Sequence, residues 1–302
     1  MKTVKITFIF CLISVLAFAK VSPKEKAALL DLYKSTNGAE WKNIWNLSSS
    51  VDQWYGVVVK NDKVVELNLA FNNLKGALPE NFGDLENLTQ INLFRNDITG
   101  AIPSSIGNLK TLHTLNLAFN QLSGTLPSTL GDLESLRSLQ LFMNTIEGEI
   151  PNSIGKLSLL EDFEVYNNNL TGELPSGIGN LTNLRAIMVS SNKLSGKLPS
   201  NFSKLKKLKV LSLFDNNFFG MLPNSITELS SLEELILSNN AFYGALPNNL
   251  AQLSNLKVLM LGNNGFKGEI VNLEKQFPNL QQFDINNTEN QGVIATLDEE
   301  ED

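Results

Sequence analysis

Two apolar positions separated by one residue recur every 24 residues along most of the chain. The first column runs Leu67, Ile91, Leu115, Leu139, Phe163, Ile187, Leu211, Leu235 and Leu259. The second runs Leu69, Leu93, Leu117, Leu141, Val165, Val189, Leu213, Leu237 and Leu261. A spacing of two puts both side chains on one face of a β-strand, so each unit predicts one short strand with these residues turned inward. Further apolar columns begin at Leu74, Leu78, Phe82, Leu85 and Leu88. With about seven core side chains, one unit cannot bury its own apolar surface, and stacked units can.

Three other columns share this frame. Asparagine stands at 72, 96, 120, 144, 168, 192, 216, 240 and 264, and glycine four residues after each. Proline follows three residues later, from Pro79 to Pro247, and the column decays at Val271. A side-chain amide has two donors and an acceptor. A buried asparagine per coil can therefore pair the backbone groups that a turn leaves open, and their loss would cost about 1–3 kcal/mol each. Glycine and proline mark the turn away from the strand, and proline, lacking an amide donor, belongs outside a hydrogen-bonded ladder.

The unit exemplified by LHTLNLAFNQLSGTLPSTLGDLES resembles the plant-type leucine-rich repeat, over about 64–287. That resemblance implies an α/β-type leucine-rich-repeat solenoid. It would be a right-handed superhelix with a concave parallel β-sheet, short 3-10 or helical turns on the convex side and a helical N-terminal cap. The stretch DQWYGVVV matches a cap motif of this class at Trp54, Gly56 and Val57, but Asp52 and Val59 stand where the plant form has cysteines. The chain in this respect resembles cysteine-free secreted bacterial members.

The ends divide the chain further. Lys2 and Lys5, an apolar run from Ile6 to Ala19, and Ala17-Phe18-Ala19 have the layout of a secretory signal peptide over 1–19. The run is shorter than the roughly 20 residues of a membrane-spanning helix, and no later run is longer, so a secreted or periplasmic protein without a membrane span is expected. Ser22-Pro23 starts a helix within an N-terminal cap over 20–61. There Trp41, Trp45 and Trp54, the three tryptophans of the chain, are expected as core. Nine repeats follow over 62–277. A closing half-repeat spans 278–294, and an acidic, disordered tail ending in Asp298, Glu299, Glu300, Glu301 and Asp302 spans 295–302.

Composition narrows the function. The 302 residues carry a net charge of −7, which disfavours nucleic acid, whose phosphates call for a basic surface. Cys11, the single cysteine, falls in the expected signal peptide, so no internal disulfide or cysteine metal site is expected. The single histidine, His113, stands at a strand entrance without a nucleophile to serve. Neither a phosphate loop nor a metal-ligand spacing occurs. No catalytic residue, cofactor or metal is expected. Six Asn-x-Ser/Thr sequons begin at Asn46, Asn87, Asn169, Asn180, Asn201 and Asn286, as chance allows in an asparagine-rich chain. Lys204, Lys206, Lys207 and Lys209 read as a solvated face.

The outward positions, in columns beginning at Glu66, Asn68, Ala70 and Phe71, carry the residues that the repeat itself does not explain. The last two columns hold Phe71, Phe94, Phe119, Phe142, Tyr166 and Phe214. With strands about 4.8 Å apart, these predict a semi-continuous aromatic stripe on the concave face, accompanied by Arg95, Asp162, Glu164 and Asp215. Packing of the rings on one another is the competing explanation. The expected function is recognition of a protein partner through this face by a monomer. Polysaccharide binding by sugar stacking is the alternative. Asp162 and Glu164, two residues apart, have the makings of a glycosidase pair, but no deep pocket is expected around them. Ice binding would need a regular threonine array, and the column Lys75, Thr99, Ser123, Glu147, Thr171, Ser195, Phe219, expected on the convex side, is irregular.

Overall fold

A computed structural model of the chain describes residues 21–267, 273–286 and 295–296. The expected signal peptide, Cys11, Gly268, Val271 and residues 297–302 lie outside the described residues. Among the described residues no helix is long and apolar enough to cross a membrane.

The predicted strands stack into one sheet. Its twelve strands include one for each repeat, running parallel, and an antiparallel strand at either edge. Register advances by one period per strand: Leu67 lies beside Ile91, Leu115 beside Leu139 and Leu235 beside Leu259. Both predicted inward columns are fully buried from Leu67 to Leu261, in one core that runs the length of the solenoid. At the first edge, Val57–Lys60 and Lys63–Asn68 form a hairpin. Its two turn residues, Asn61 and Asp62, both have positive φ, as the tightest hairpin turn requires.

The asparagines link neighbouring coils as expected. Asn120 donates from Nδ2 to the carbonyls of Leu93 and Leu117, at 3.0 Å each, and its Oδ1 accepts the amide N–H of Ile98 in the preceding coil at 3.0 Å. Asn96, Asn144, Asn168 and Asn216 repeat the pattern. At the start of the ladder Asn72 has no preceding coil, and its Oδ1 instead accepts the backbone and side-chain N–H groups of Asn43 in the cap.

One expectation needs correction. Most of the glycine column does not mark a turn: Gly76, Gly100, Gly148, Gly196, Gly220 and Gly244 lie in a second set of short parallel strands on the side of the solenoid, and only Gly124 and Gly172 of the described residues stand at bends just after such strands. These include Lys75–Ala77, Asp97–Gly100 and Gln121–Leu122, then Glu147–Glu149 with Asn169–Thr171, then Ser195–Gly196 through Gly265–Lys267. Register here advances by 22 residues: Gly76 lies beside Ile98 and Phe219 beside Ala241. Glycine is required because the chain adopts positive φ there, 74° at Gly100, while still pairing with its neighbour. The column Lys75 to Phe219 therefore lies on this lateral sheet and not on the convex side.

The convex side is built of 3-10 turns of three to five residues, as expected. Seven of them, from Glu80–Asp84 to Asn224–Glu228, directly follow a proline with φ between −58° and −75°. Adjacent turns pack closely. A Cβ on Gly131 would collide with the carbonyl oxygen of Ser153 in the next coil.

The cap opens with the helix α1 (Pro23–Ser35), whose N-cap Ser22 accepts the amide N–H of Glu25 at 3.2 Å. Glu25 is buried, and its Oε1 accepts the Val64 amide N–H at 3.1 Å and the Asn87 side-chain N–H at 3.3 Å. Trp41, Trp45 and Trp54 are buried as expected and lie ring to ring, with centroids 4.9 Å and 4.7 Å apart along the series. Each indole N–H donates to a backbone carbonyl, of Thr36, Tyr55 and Asn46 respectively. At the far end Ala295–Thr296 pair antiparallel with Phe283 and Gln282. These two residues therefore close the sheet and do not belong to a disordered tail.

Candidate functional site on the concave face

The turn at the end of each strand shapes the inner surface. After the second core leucine the chain bends, and in the first three coils an asparagine stabilises the bend. The Oδ1 atoms of Asn68, Asn92 and Asn116 accept the amide N–H of Ala70, Phe94 and Ala118 at 3.3, 3.2 and 3.1 Å. The next residue is left-handed in every coil: Phe71 at φ 57°, Arg95 at 54°, Phe119 at 54° and Asp215 at 55°, with Met143, Asn167, Ser191, Asn239 and Asn263 alike. Four of the expected site residues, Phe71, Arg95, Phe119 and Asp215, thus leave the strand and stand on this turn. An L residue there costs roughly 1–2 kcal/mol.

The rings nevertheless come together. Phe71 meets Phe94 edge to face at 5.2 Å, Phe94 meets Phe119 at 5.2 Å, and Phe119 meets Phe142 at 5.6 Å. Phe142 and Tyr166 are stacked at 4.4 Å. The guanidinium of Arg95 lies 5.6 Å from the Phe71 ring centre. Packing on neighbours leaves substantial surface free, since Phe71 is 50% and Phe119 36% exposed. Phe214 and Asp215 are exposed too, but stand two coils beyond Tyr166, and Ser190 occupies the intervening position. The expected six-membered stripe is thus a cluster of five rings with Phe214 separate from it.

Asp162 and Glu164 share the strand Asp162–Glu164 and lead toward Tyr166. Both carboxyl pKa values are raised, first by burial and then by a like charge, Glu161 acting on Asp162 and Asp162 on Glu164. Gln140 donates to Glu164 at 3.3 Å from the adjacent strand, which partly offsets the shift. The Tyr166 phenol is raised by burial and by the nearby Glu164.

One part of the face is not anticipated from sequence. Beyond Asp162 and Glu164 the outward strand positions turn apolar. Asp162 lies beside Ala186 and Glu164 beside Met188. Val210, Ile236, Val258 and Met260 continue the floor through in-register pairs, interrupted by Ser212 and Glu234. All six apolar residues are half-buried. The signal lay in the columns beginning at Glu66 and Asn68, which turn apolar midway, whereas the aromatic columns are more conspicuous.

The strand entrances carry paired charges instead. Glu161 bridges Arg137 and Arg185 at 3.0 and 3.1 Å, and Glu233 bridges Lys209 and Lys257 at 2.7 Å each. Hydrogen bonds from Lys209 and Lys257 hold the Glu233 carboxyl down to about 2. Lys204, Lys206 and Lys207 reach Asn180, Glu228 and Asn183. His113 is exposed, and no cluster of metal-binding side chains occurs among the described residues.

Leucine-rich-repeat family models match residues 62–122, 135–157 and 166–292, the same span over which the parallel sheet was built. The chain is a leucine-rich-repeat solenoid. No curated protein matches its sequence. Among solved structures it is similar to the ectodomain of the plant membrane receptor kinase GASSHO1/SCHENGEN3 from Arabidopsis thaliana, in complex with Casparian strip integrity factor 2. The identity is 30% over 86% of this chain and 32% of that one, with a TM-score of 0.82. The PEPR1–AtPEP1 complex is similar at 30% identity over 85% of this chain and 37% of that one, with a TM-score of 0.78. A plant ice-binding protein is similar at 25% identity over 89% and 87%, with a TM-score of 0.76. This leucine-rich-repeat chain spans about a third of the length of the first two of these chains.

Proposed function

We propose that this leucine-rich-repeat protein is a secreted binding module that recognises a protein partner on its concave face. The contact would be made by the rings of Phe71, Phe94, Phe119, Phe142 and Tyr166, with Arg95, Asp162 and Glu164 beside them. The observation that carries the reading is the unbroken ring contact from Phe71 to Tyr166 at a partly exposed surface, since contiguous exposed apolar surface marks interaction sites. Two of the similar structures hold a complex, which supports a protein partner over a polysaccharide. The amino-terminal charge and apolar pattern supports export. The lateral column mixes Lys75, Glu147 and Phe219 with its threonines, so it does not favour ice binding, and the raised carboxylates lie in an open face that does not favour catalysis.

The test uses a random-peptide display library panned on the full chain. Selected peptides should lose most of their affinity for a Phe94→Ser/Phe142→Ser/Tyr166→Ser variant that keeps the parent circular dichroism, and keep it for Phe219→Ser/Met221→Ser, on the lateral sheet and just after its strand. The opposite pattern places the binding surface elsewhere.

A further inference from the structure

The concave face changes character midway, and the change describes what would lie on it. From the strand Asp162–Glu164 to the strand Val258–Met260, five consecutive strands present two carboxylates followed by an apolar floor of Ala186, Met188, Val210, Ile236, Val258 and Met260, interrupted by Ser212 and Glu234. Resting on the reading of this face as a binding surface, we propose that its partner is an extended peptide segment with a basic side chain that meets Asp162 and Glu164 and apolar side chains that cover this floor.

The dimensions fit such an occupant. Four strand spacings of about 4.8 Å make about 19 Å, the length of roughly six extended residues at about 3.3 Å each. The floor runs across the strands, so the peptide lies across them too. Its alternate side chains then face inward at i, i+2 and i+4, with the basic residue at the carboxylate end and apolar ones following. An apolar peptide ending there without a positive charge would remove two carboxylates further from water with only the Gln140 hydrogen bond to Glu164 and the charge of Arg185 near Asp162 to offset the cost.

The charge demand is greatest at this spot, where two outward carboxylates share one strand, whereas Glu234 stands singly on the floor beyond. The bridging carboxylates at the strand entrances, Glu161 and Glu233, are each held by two cations of the chain itself. Asp162 and Glu164 make no ion pair within 4.0 Å among the described residues, and Gln140 gives Glu164 only a neutral donor. Burial has raised both carboxyl groups toward the protonated form. A guanidinium or ammonium brought by the partner would reverse that, and charge-assisted hydrogen bonds are stronger than neutral ones. The aromatic cluster from Phe71 to Tyr166 lies on the other side of the acidic strand and would take the partner's continuation past its basic residue.

A positional-scanning library of acetylated, amidated heptapeptides, measured by fluorescence anisotropy on the full chain, tests the proposal. Pools fixed as Arg or Lys at one position, with Leu, Ile or Met two and four residues on, should bind best. Their affinity should fall at least about tenfold for Asp162→Asn/Glu164→Gln and for Met188→Ser/Ile236→Ser. It should also fall when the arginine is replaced by citrulline and as ionic strength rises. Binders with no preference for a basic residue, or indifferent to both variant pairs, overturn the proposal. If such binders are still lost on Phe94→Ser/Phe142→Ser/Tyr166→Ser, the concave face keeps its proposed role and only the assignment of the partner fails. No pool bound at roughly millimolar concentration also overturns it.

Discussion

The phenol ring of Tyr166 lies flat on that of Phe142, with centroids 4.4 Å apart and planes 8° apart. The two residues are one period apart in sequence, so the stack records how the repeat places like side chains in adjacent coils. It also joins the ring cluster to the acidic strand, because Tyr166 follows Glu164 by two residues. Replacing Phe142 and Tyr166 together with serine should remove binding while leaving the core columns untouched. The expected loss of stability stays below the roughly 3–5 kcal/mol of truncating one fully buried aromatic, because both rings are only half-buried, and it includes roughly 0.5–1.5 kcal/mol for the pair itself. Urea denaturation checks this, and a much larger loss would make the stack structural.

Asp162 and Glu164 should cost stability at neutral pH. Their pKa values are raised in the folded chain above the ordinary 3.8 and 4.5, so the folded state holds these protons more tightly than the unfolded one. The resulting stabilisation is present below the ordinary values and is lost as pH rises through the raised ones. Asp162→Asn and Glu164→Gln should therefore raise the Tm at pH 7, and the gain should shrink as pH falls below the ordinary carboxylate range. Glu233 behaves oppositely. Its pKa is lowered from 4.5 to about 2, so its contribution is present above 4.5 and lost as pH falls toward 2, and Glu233→Gln should slightly lower the Tm at pH 7. Thermal melts across pH separate the two signs.

The asparagine ladder should be costly to interrupt. Asn120→Leu leaves the Ile98 amide N–H without its acceptor and removes one of the two asparagine donors to each of the Leu93 and Leu117 carbonyls, which keep Asn96 and Asn144. At about 1–3 kcal/mol for the buried amide left unpaired, a loss of at least about 1 kcal/mol is expected in urea denaturation. Replacement without such a loss would mean that water or a rearranged turn supplies the missing bonds.

Met143 stands in the left-handed column at φ 55° and is partly exposed. Asparagine tolerates that conformation better, and it is the residue found at the same place in Asn167, Asn239 and Asn263. Met143→Asn should stabilise the solenoid by about 1 kcal/mol, read as a higher Tm. An unchanged or lower Tm would show that the methionine's packing outweighs the backbone strain.

The cap depends on Glu25. Glu25→Ala removes the acceptor of the Val64 amide N–H and of the Asn87 side chain, and about 1–3 kcal/mol should be lost. Hydrogen exchange at Val64 should accelerate at the same time. Protection unchanged at that amide would show that the helix is not what ties down the first strand.

The fold is legible in the sequence where one residue type repeats in one environment. Leu67, Leu69 and Asn72 stand for whole columns, and a period held without insertion fixes strand, register and ladder together. Legibility fails where the cause is a backbone angle. Glycine four residues after each asparagine reads as a turn, yet at Gly100 a positive φ coexists with strand pairing. The same difficulty hides the left-handed column. Its signal is the asparagines at 167, 239 and 263, but Phe71 and Phe119 in that column read as aromatics on a strand. In the candidate site, the cluster from Phe71 to Tyr166 is legible because aromatics are conspicuous. The separation of Phe214 is less so, although Ser190 stands in the gap. The apolar floor is hidden because Val210, Ile236 and Met260 resemble core residues until the sheet shows which way they face. Glu25 gives no signal either, since its partner Val64 lies 39 residues away.

The most direct measurement is site-specific photocrosslinking with a library-selected peptide. Benzoyl-phenylalanine is placed in turn at position 142 on the concave face and at position 219 on the lateral sheet of the otherwise unaltered chain. Crosslinking at 142 and none at 219 is the result expected if the concave face is the binding surface. Crosslinking at 219 with none at 142 would contradict it.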